Sequence, residues 1–531
     1  MHRTAGRYLR AMTVGVLSVG VGLVAGELIA ALAVAPASPV GVVGAQLIDH
    51  TPSAIREWAI TTFGTSDKTA LLSGISVAVV VLAAIAGVLQ VIRPPMGAAV
   101  IGAFGVVGAV CAVTRPTGTA LYAVPSLCAG VIGIVVLVVL CRRAIGTRGQ
   151  PEHTEPGQPG PEHPDPDDAR PVATVGWSRR RFVAVSGGVA VLIAVSGYAA
   201  RRIAATGGAV AERMGLRLPA VREAAPPIAA SMNLQVPGAT PFLTSAADFY
   251  RIDTALAVPQ LTTRQWRLRI HGMVARELTL DWDDLMAMPA RERVVTLTCV
   301  SNEVGGDLAG NARWLGYPMA EILARVGAEA DADMLLSTSV DGWTSGTPLS
   351  AITDGRDAML VIGMNGAPLP LEHGYPVRQV IPGLYGFVSA CKWVIDWEIT
   401  RFDRAQSYWT KRGWGEKAPI KTASRIDRPA PFASLPVGPV VVAGTAWAQH
   451  RGVRSVQVRV DDGPWQEATL APEYSIDTWR QWTWTWDAQP GQHTLYCRAT
   501  DATGATQPDT RVPPIPDGAT GWHSRVMTVQ R

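Results

Sequence analysis

Hydrophobic positions are distributed unevenly along the chain. Four apolar stretches fill the first third, at roughly 11–35, 69–92, 96–114 and 119–141. Each is close to the about 20 residues that a membrane-spanning helix needs. A fifth, "SRRRFVAVSGGVAVLIAVSGYAA", covers residues 178–200. Arg3, Arg7 and Arg10 precede the first stretch, Arg93 separates the second from the third, and Arg142, Arg143 and Arg148 follow the fourth. With the N-terminus inside, every one of these cations falls on the cytoplasmic side, and the chain after residue 200 emerges outside. Between the fourth and fifth stretches, "GTRGQPEHTEPGQPGPEHPDPDDARP" is too rich in Pro, Gly and acids to bury a core, so it reads as a cytoplasmic linker.

Beyond about residue 233 the pattern becomes that of a soluble domain. Residues 266–274, "WRLRIHGMV", alternate as a strand, whereas 279–289 open with cap-type residues and carry Leu285, Met286 and Met288 at helical spacing. Residues 293–300 are β-branched and strand-like, with Cys299 at their end, and 314–327 read as a short turn and a helix. Further on, 440–447 and 453–465 are short strands, with Asp462-Gly463 as hairpin chemistry. In "WTWTW", Trp482, Trp484 and Trp486 share one face, and Cys497 has the parity of Leu495 and Ala499, so both sets read as core. This region reads as an immunoglobulin-like β-sandwich.

The predicted fold is therefore multi-domain: an α-helical transmembrane region, a mixed α+β domain, then the sandwich. The boundaries run 1–145 for four spans, 146–177 for the linker, 178–202 for the fifth span and 203–240 for a connector. The α+β domain takes 241–423 and the sandwich 424–531.

Composition agrees. With 531 residues, 48% apolar content and a mean hydropathy of +0.18, the chain is too long for one domain and too apolar to be wholly soluble. A net charge of +4 carried by scattered basic residues gives no support to nucleic-acid binding. None of the nine histidines lies within a span, His50 being placed in a loop, so no haem is expected between the helices. Glu27 within the first span is either a functional carboxyl or one packed among neighbouring helices. Ser178-Arg179-Arg180-x-Phe182-Val183 has the spacing of a twin-arginine export signal, and equally that of an ordinary positively flanked helix.

Six cysteines show neither a CxxC nor a zinc-finger spacing. Cys111, Cys128 and Cys141 lie in apolar segments and read as small hydrophobes. Cys299 differs, because "TCVSNEVGGDLAGNARW" puts it in the loop after a strand, where chemistry is commonly placed. A thiol there is open to three readings: a nucleophile, a structural thiol, or a soft metal ligand bound as thiolate beside a glycine-bared backbone.

Several motifs recur in a fixed order: "FYRIDTALAVP", the Cys299 stretch, "SVDGW", "MNGAPLPLEHGYPVRQVIPGLYGFVSACKW" and "SRID". Together they resemble the sulfite oxidase family of mononuclear molybdenum enzymes, in its bacterial membrane-anchored form, over roughly 242–531. The resemblance implies one molybdenum held by one molybdopterin and by the thiolate of Cys299. It also implies cofactor contacts from His373, Arg378, Ser389, Ala390 and Lys392, from the Tyr250–Thr254 segment (Tyr250, Arg251, Asp253 and Thr254), and from Asp341. The sandwich is similar to the family's dimerisation domain, which allows a homodimer.

Two departures stand out. Ile252 occupies the position of the family's active-site arginine, and Ser345 that of a tyrosine, so an anion pocket has lost a cation and a phenol. Arg313 is the candidate replacement for the missing charge. Read whole, the chain is a multi-pass membrane protein whose external catalytic domain performs two-electron oxidation or oxygen-atom transfer on a small oxygenated or sulfur-containing substrate. An external redox carrier or quinone would be its electron partner. A metal-free, membrane-anchored binding protein that retains the fold is the alternative, and a cysteine hydrolase a third reading.

Overall fold

The computed structural model describes residues 2–33, 37–52, 67–115, 118–145, 177–205 and 208–530, together with Ile55, Trp58 and Thr62. Apart from Trp177, the linker expected over 146–177 lies outside the described residues. The chain divides into two compact units, residues 1–207 and 208–531.

The first unit is helical. Its helices are α1 (His2–Ala33), α2 (Pro39–His50), α3 (Asp67–Ile92), α4 (Met96–Val113), α5 (Ala123–Ile145) and α6 (Arg179–Ala205). All but α2 are long and apolar enough to cross a membrane. α1 is the hub and packs against α3, α5 and α6. Glycines let these backbones touch: a β-carbon at Gly15 would stand 2.0 Å from the Ala83 carbonyl oxygen, and one at Gly22 2.3 Å from that of Ala129. α2 was not foreseen, and it puts His50 at a helix end rather than in a loop. Glu27 accepts hydrogen bonds from Ser38 Oγ at 2.9 Å and the Val40 N–H at 3.1 Å, so its carboxylate caps the start of α2.

The second unit begins with a helix, Gly208–Gly215, inside the expected connector. That segment is anchored: Arg213 Nε donates to the Leu369 carbonyl at 2.6 Å, and Tyr375 donates to Glu212 at 2.7 Å. Two sheets follow. One orders the strands Val221–Glu223, Ala290–Thr298, Ala309–Pro318, Met359–Met364 and Arg378–Val380, with Ala367–Pro368 paired to the fourth; the other orders Leu278–Asp281, Arg267–Gly272, Val394–Thr400, Met334–Ser339 and Thr344–Pro348. Leu268, Ile270, Leu335, Leu360 and Trp397, all fully buried, knit both sheets into one core.

The expected helix at 279–289 is a short one, Trp282–Met286, capped by the reciprocal Asp281 and Asp284 pair. At 314–318 a strand replaces the expected turn, and helix Met319–Val326 starts only afterwards, ending on left-handed Gly327. Trp314 and Tyr317 sit there because both are wholly buried strand residues.

The C-terminal region is β-rich and again has two sheets. Strands Ala423–Arg428, Gly438–Trp447, Arg480–Ala488 and Thr469–Leu470 make one; Ser434–Pro436, His523–Gln530, Gly491–Asp501, Val453–Val460 and Gln466–Glu467 make the other. Trp482, Trp486 and Cys497 are buried between them, with Trp484 packed against the same core. At the Val453–Glu467 hairpin the left-handed residue is Asp461 rather than Gly463.

Candidate molybdopterin site

Two strands of the first sheet set the position of the thiol. β1 (Ala290–Thr298) pairs antiparallel with β2 (Ala309–Pro318), and the register closes on Thr298 opposite Ala309. From Val294 to Thr298 β1 is fully buried, so its end is fixed. Cys299 is the next residue; its N–H donates to the Leu308 carbonyl at 2.9 Å, and its own carbonyl accepts from Asn302 N–H at 3.1 Å. The Asn302 side chain closes the loop by accepting from the Leu308 N–H at 2.9 Å. A β-carbon on Gly306 would stand 2.6 Å from that same amide oxygen, which explains this glycine. Gly305 has φ +81°, and a β-carbon there would come 2.2 Å from His523 Cδ2. The glycines thus admit protein rather than a cofactor: one faces Asn302, the other a histidine of the C-terminal strands.

The Cys299 thiol is buried, and desolvation pushes its pKa up, with hydrogen bonds from Ser301 opposing. Tyr250 is close enough for its phenol to feel both Cys299 and the Arg378 guanidinium, and burial holds it protonated. A β-carbon at Gly386 would lie 3.6 Å from the Tyr250 hydroxyl and 3.7 Å from the Thr298 carbonyl, which places that phenol at the end of β1.

Next to this end are three nitrogen-bearing side chains from the "EHGYPVR" and "CKW" stretches. Arg378 is buried; Nη1 donates to the His373 carbonyl at 3.1 Å, and the guanidinium lies 5.2 Å from the Trp314 ring centroid. Among the described residues no carboxylate pairs with it, and burial lowers its pKa to about 10. Lys392 Nζ donates to Asp253 at 2.7 Å and to the Glu372 carbonyl at 3.0 Å. Burial lowers its pKa to about 8 despite the Asp253 carboxylate. His373 Nε2 stands 2.9 Å from the Ala246 carbonyl, which can only accept, so Nε2 carries the proton and Nδ1 is a bare acceptor. Burial, then the Arg378 charge, lower this imidazole to about 4, so it is neutral. Gly374, at φ +109°, makes the cluster compact: a β-carbon there would be 2.9 Å from Arg378 Cβ and 3.2 Å from Lys392 Cβ.

The remaining expected residues divide. Asp253 joins the cluster through Lys392, and Arg251 pairs with the same carboxylate at 3.0 Å from a more exposed position. Thr254 is half-buried one residue further on. Asp341 lies in the turn after Met334–Ser339, where it accepts from the Trp343 N–H at 3.2 Å and raises the pKa of the buried Cys391 thiol. Ser389 is turned to its own helical turn, donating to Leu384 and Tyr385 carbonyls at 2.9 and 3.1 Å, and the neighbouring Ala390 offers only backbone. Arg313 is not at the site. It sits opposite Val294, four residues along β2 from Ala309, about 13 Å by strand rise, and pairs with Glu292 at 3.3 Å. The replacement charge expected from it is therefore absent from the Cys299 loop.

The interior beside the cluster also carries polar atoms lacking a hydrogen-bond partner among the described residues: Ser337 and Ser339 Oγ and both amide atoms of Gln379. Ser345 lies opposite Ser337 in the sheet and beside Cys391, whose carbonyl accepts from the Gln379 N–H. Buried polar groups in folded proteins are normally satisfied, so this region is built for a partner rich in donors and acceptors.

Residues 255–409 match the oxidoreductase molybdopterin binding domain. Mitochondrial sulfite oxidase of Mus musculus is 30% identical over 317 residues, covering 49% of this chain and 56% of that protein. Sulfite oxidase of Gallus gallus is 27% identical over 309 residues, covering 49% and 66%. The chain carries an oxidoreductase molybdopterin binding domain and is similar to the sulfite oxidases. It spans about half the length of the curated relatives it matches, 56% in the mouse protein. Among solved structures, that of the sulfane dehydrogenase SoxCD from Paracoccus pantotrophus is similar at 22% identity and a TM-score of 0.48, covering 55% of this chain and 84% of that one.

Within the matched domain fall Cys299, Asp341, His373, Arg378 and Lys392, whereas Tyr250 and Asp253 precede it. The C-terminal strands supply a further layer that the motifs did not reveal. Gln449 Nε2 donates to Thr298 Oγ1 at 2.9 Å, Arg425 Nη1 to the Gly306 carbonyl at 2.6 Å, and the Ile426 N–H to His523 Nδ1 at 2.9 Å. A small cavity opens where they meet the molybdopterin binding domain, lined by Thr298, Asn302 and Tyr385 on one side and Ser424, Trp447 and Gln507 on the other. Tyr385 was legible as part of "PGLYGF", but nothing in that string gives it a role; His523 carries no local signal at all.

Proposed function

We propose that this chain is a membrane-anchored molybdenum-molybdopterin oxidoreductase whose catalytic domain lies on the extracytoplasmic side. Its reaction would be two-electron oxidation or oxygen-atom transfer at a small oxygenated or sulfur-containing substrate, with an external redox carrier or quinone as electron partner. The observation that carries the reading is Arg378: a buried guanidinium without a carboxylate is costly unless an anion completes it. A pterin phosphate or dithiolene supplies that anion, and the orphaned Ser339 and Gln379 atoms offer the hydrogen bonds a pterin ring needs. The residues fit the group.

In this reading Cys299 is the protein's ligand to molybdenum. Its raised pKa keeps a free thiol protonated, and a bound metal replaces that proton. Arg378 and Lys392 hold the anionic part of the cofactor, and His373 presents Nδ1 as an acceptor toward a pterin N–H. Asp341 and the backbone around Ser389 and Ala390 close the site. The bound centre supplies reversible two-electron chemistry at an oxygen-bearing ligand. The chain's own work is to fix the thiolate, exclude water with the buried β1 end, and present the Tyr250 phenol as a proton donor beside it. A cysteine-hydrolase reading is disfavoured, because the Cys299 thiol has no imidazole partner among the described residues and its pKa is raised rather than lowered.

The arginines flanking the spans favour an N-terminus inside. The C-terminal strands are read as the immunoglobulin-like module through which a homodimer forms. Metal analysis of the purified full chain from a molybdopterin-competent host tests the reading. Stoichiometric molybdenum that disappears in Cys299→Ser supports it; a folded, metal-free wild type would favour the binding-protein alternative.

A further inference from the structure

The loop that carries Cys299 is shaped from within and fastened from without. Inside it, Asn302 Oδ1 accepts from the Leu308 N–H, and the Gly306 N–H donates to the Glu303 carbonyl at 2.9 Å. Those bonds anchor the loop only to itself. The outer fasteners come from the C-terminal strands. Arg425 Nη1 donates to the Gly306 carbonyl at 2.6 Å, while its Nε is held by Asp427 at 2.7 Å. The His523 ring presses on Gly305 so closely that a β-carbon there would stand 2.2 Å from Cδ2 and 2.3 Å from Nε2. Its Nδ1 accepts from the Ile426 N–H at 2.9 Å, so the proton sits on Nε2, and burial keeps the ring neutral with a pKa of about 3. Gln449 Nε2 donates to Thr298 Oγ1 and to the Thr296 carbonyl at 2.9 and 3.2 Å, which pins the end of β1 that leads into the thiol.

A contact between two packed modules needs only apolar surface. Here a buried arginine, its aspartate and a buried histidine are aimed at the two glycines of one loop, although burying such groups costs free energy. The loop reaches the sulfur through Ser301, which hydrogen-bonds to Cys299 from backbone and side chain. Such bonds draw charge from a metal-bound thiolate and set the potential of the metal. We propose that His523 and Arg425 are positioning residues of the metal centre: they hold the Gly305–Gly306 turn, and through it Ser301, in one geometry against the Cys299 sulfur. The inference rests on the reading of Cys299 as the molybdenum ligand, and adds to it two residues outside the matched domain.

The detergent-purified full chain tests this, loaded with molybdenum and, from a molybdopterin-deficient host, metal-free. In metal-free protein His523→Ala should let iodoacetamide label Cys299 roughly tenfold faster, the effect of about 1.4 kcal/mol lost from a closed loop, while labelling of the buried Cys391 stays unchanged. In loaded protein the same variant should keep its molybdenum but shift its paramagnetic-resonance signal and midpoint potential, and Ser301→Ala should shift both further in the same direction. His523→Asn, whose amide puts an oxygen near the Nδ1 position and a nitrogen near that of Cδ2, should recover most of the wild-type values. The wild type offers a check that needs no variant: its Gly306 and Leu308 amides should exchange with solvent as slowly as those of buried β1. Unchanged Cys299 labelling and resonance in His523→Ala overturn the proposal. Equal acceleration at Cys391 overturns it too, since that would be general loosening, as does open-loop exchange at Gly306 and Leu308. A wild type that takes up no molybdenum is instead a failure of the underlying reading, and removes the metal-centre role with it.

Discussion

Two sets of side chains approach Cys299, and they share almost no chemistry. Arg378, Lys392 and His373 form a buried, nitrogen-rich cluster whose charges are only partly answered, by Asp253. The cavity toward the C-terminal strands presents Tyr385, Asn302 and Thr298, all neutral, with Glu303 at its edge. The first arrangement is unstable without a ligand, because desolvated cations want an anion. The second holds no buried cation: no Lys or Arg lines it among the described residues, and Ser424 and Gln507 bond to each other at 2.8 Å. A site that must retain a polyanionic cofactor benefits from such a division, since the groups that bind the cofactor and those that surround the thiol's loop are then different residues.

The largest test of this contrast is Arg378→Met. Removing the guanidinium should abolish molybdenum retention in metal analysis, yet the metal-free protein should melt at a higher temperature than metal-free wild type, because an unpaired buried charge has been replaced by apolar volume. A lower melting temperature would mean that Arg378 is satisfied by protein after all.

On the pocket side the expected effect is smaller. Gly305→Ala forces a side chain into φ +81° and against His523, and should cost about 1–3 kcal/mol of stability in denaturant unfolding. Truncating His523 in the same background should recover the part that is a clash and leave the part that is backbone strain.

The smallest effect separates the two sides by pH. Both His373 and His523 have imidazoles lowered from 6.5, to about 4 and about 3, chiefly by burial. Between those values and 6.5 the unfolded chain binds more protons than the folded one, so stability rises with pH across that window and is lost on acidification. Each imidazole contributes at most about 1.4 kcal/mol per pH unit. Replacing His373 should flatten the stability curve of the metal-free protein above pH 4, and cofactor binding should restore less of it than replacing His523 does.

Much of this organisation could be read before any fold was known. The long apolar runs declare themselves, and five helices long and apolar enough to cross a membrane lie where the runs are. The β1 strand and the thiol at its end follow from β-branched alternation, and Trp482, Trp486 and Cys497 fill the core that their parity implied. His373, Arg378 and Lys392, drawn from two of the ordered motifs, lie side by side around Gly374, because each short string fixes its own backbone turn. Arg313 failed for a reason of register: on a strand, four residues move a side chain well away from the loop that its sequence number seems to join.

The sequence by itself determined the long apolar helices and the point where the apolar runs give way to short strands, the strand that delivers Cys299, and the motifs that gather around it, all consequences of local periodicity and turn chemistry. Only the tertiary structure decided that Gly305 is a glycine for His523, 218 positions downstream. It alone left Arg378 without a carboxylate among the described residues, and brought Tyr385 and Asn302 to one small cavity against the C-terminal strands. Those features depend on which distant groups meet and which partners remain missing, and a residue's chain neighbours carry no record of either.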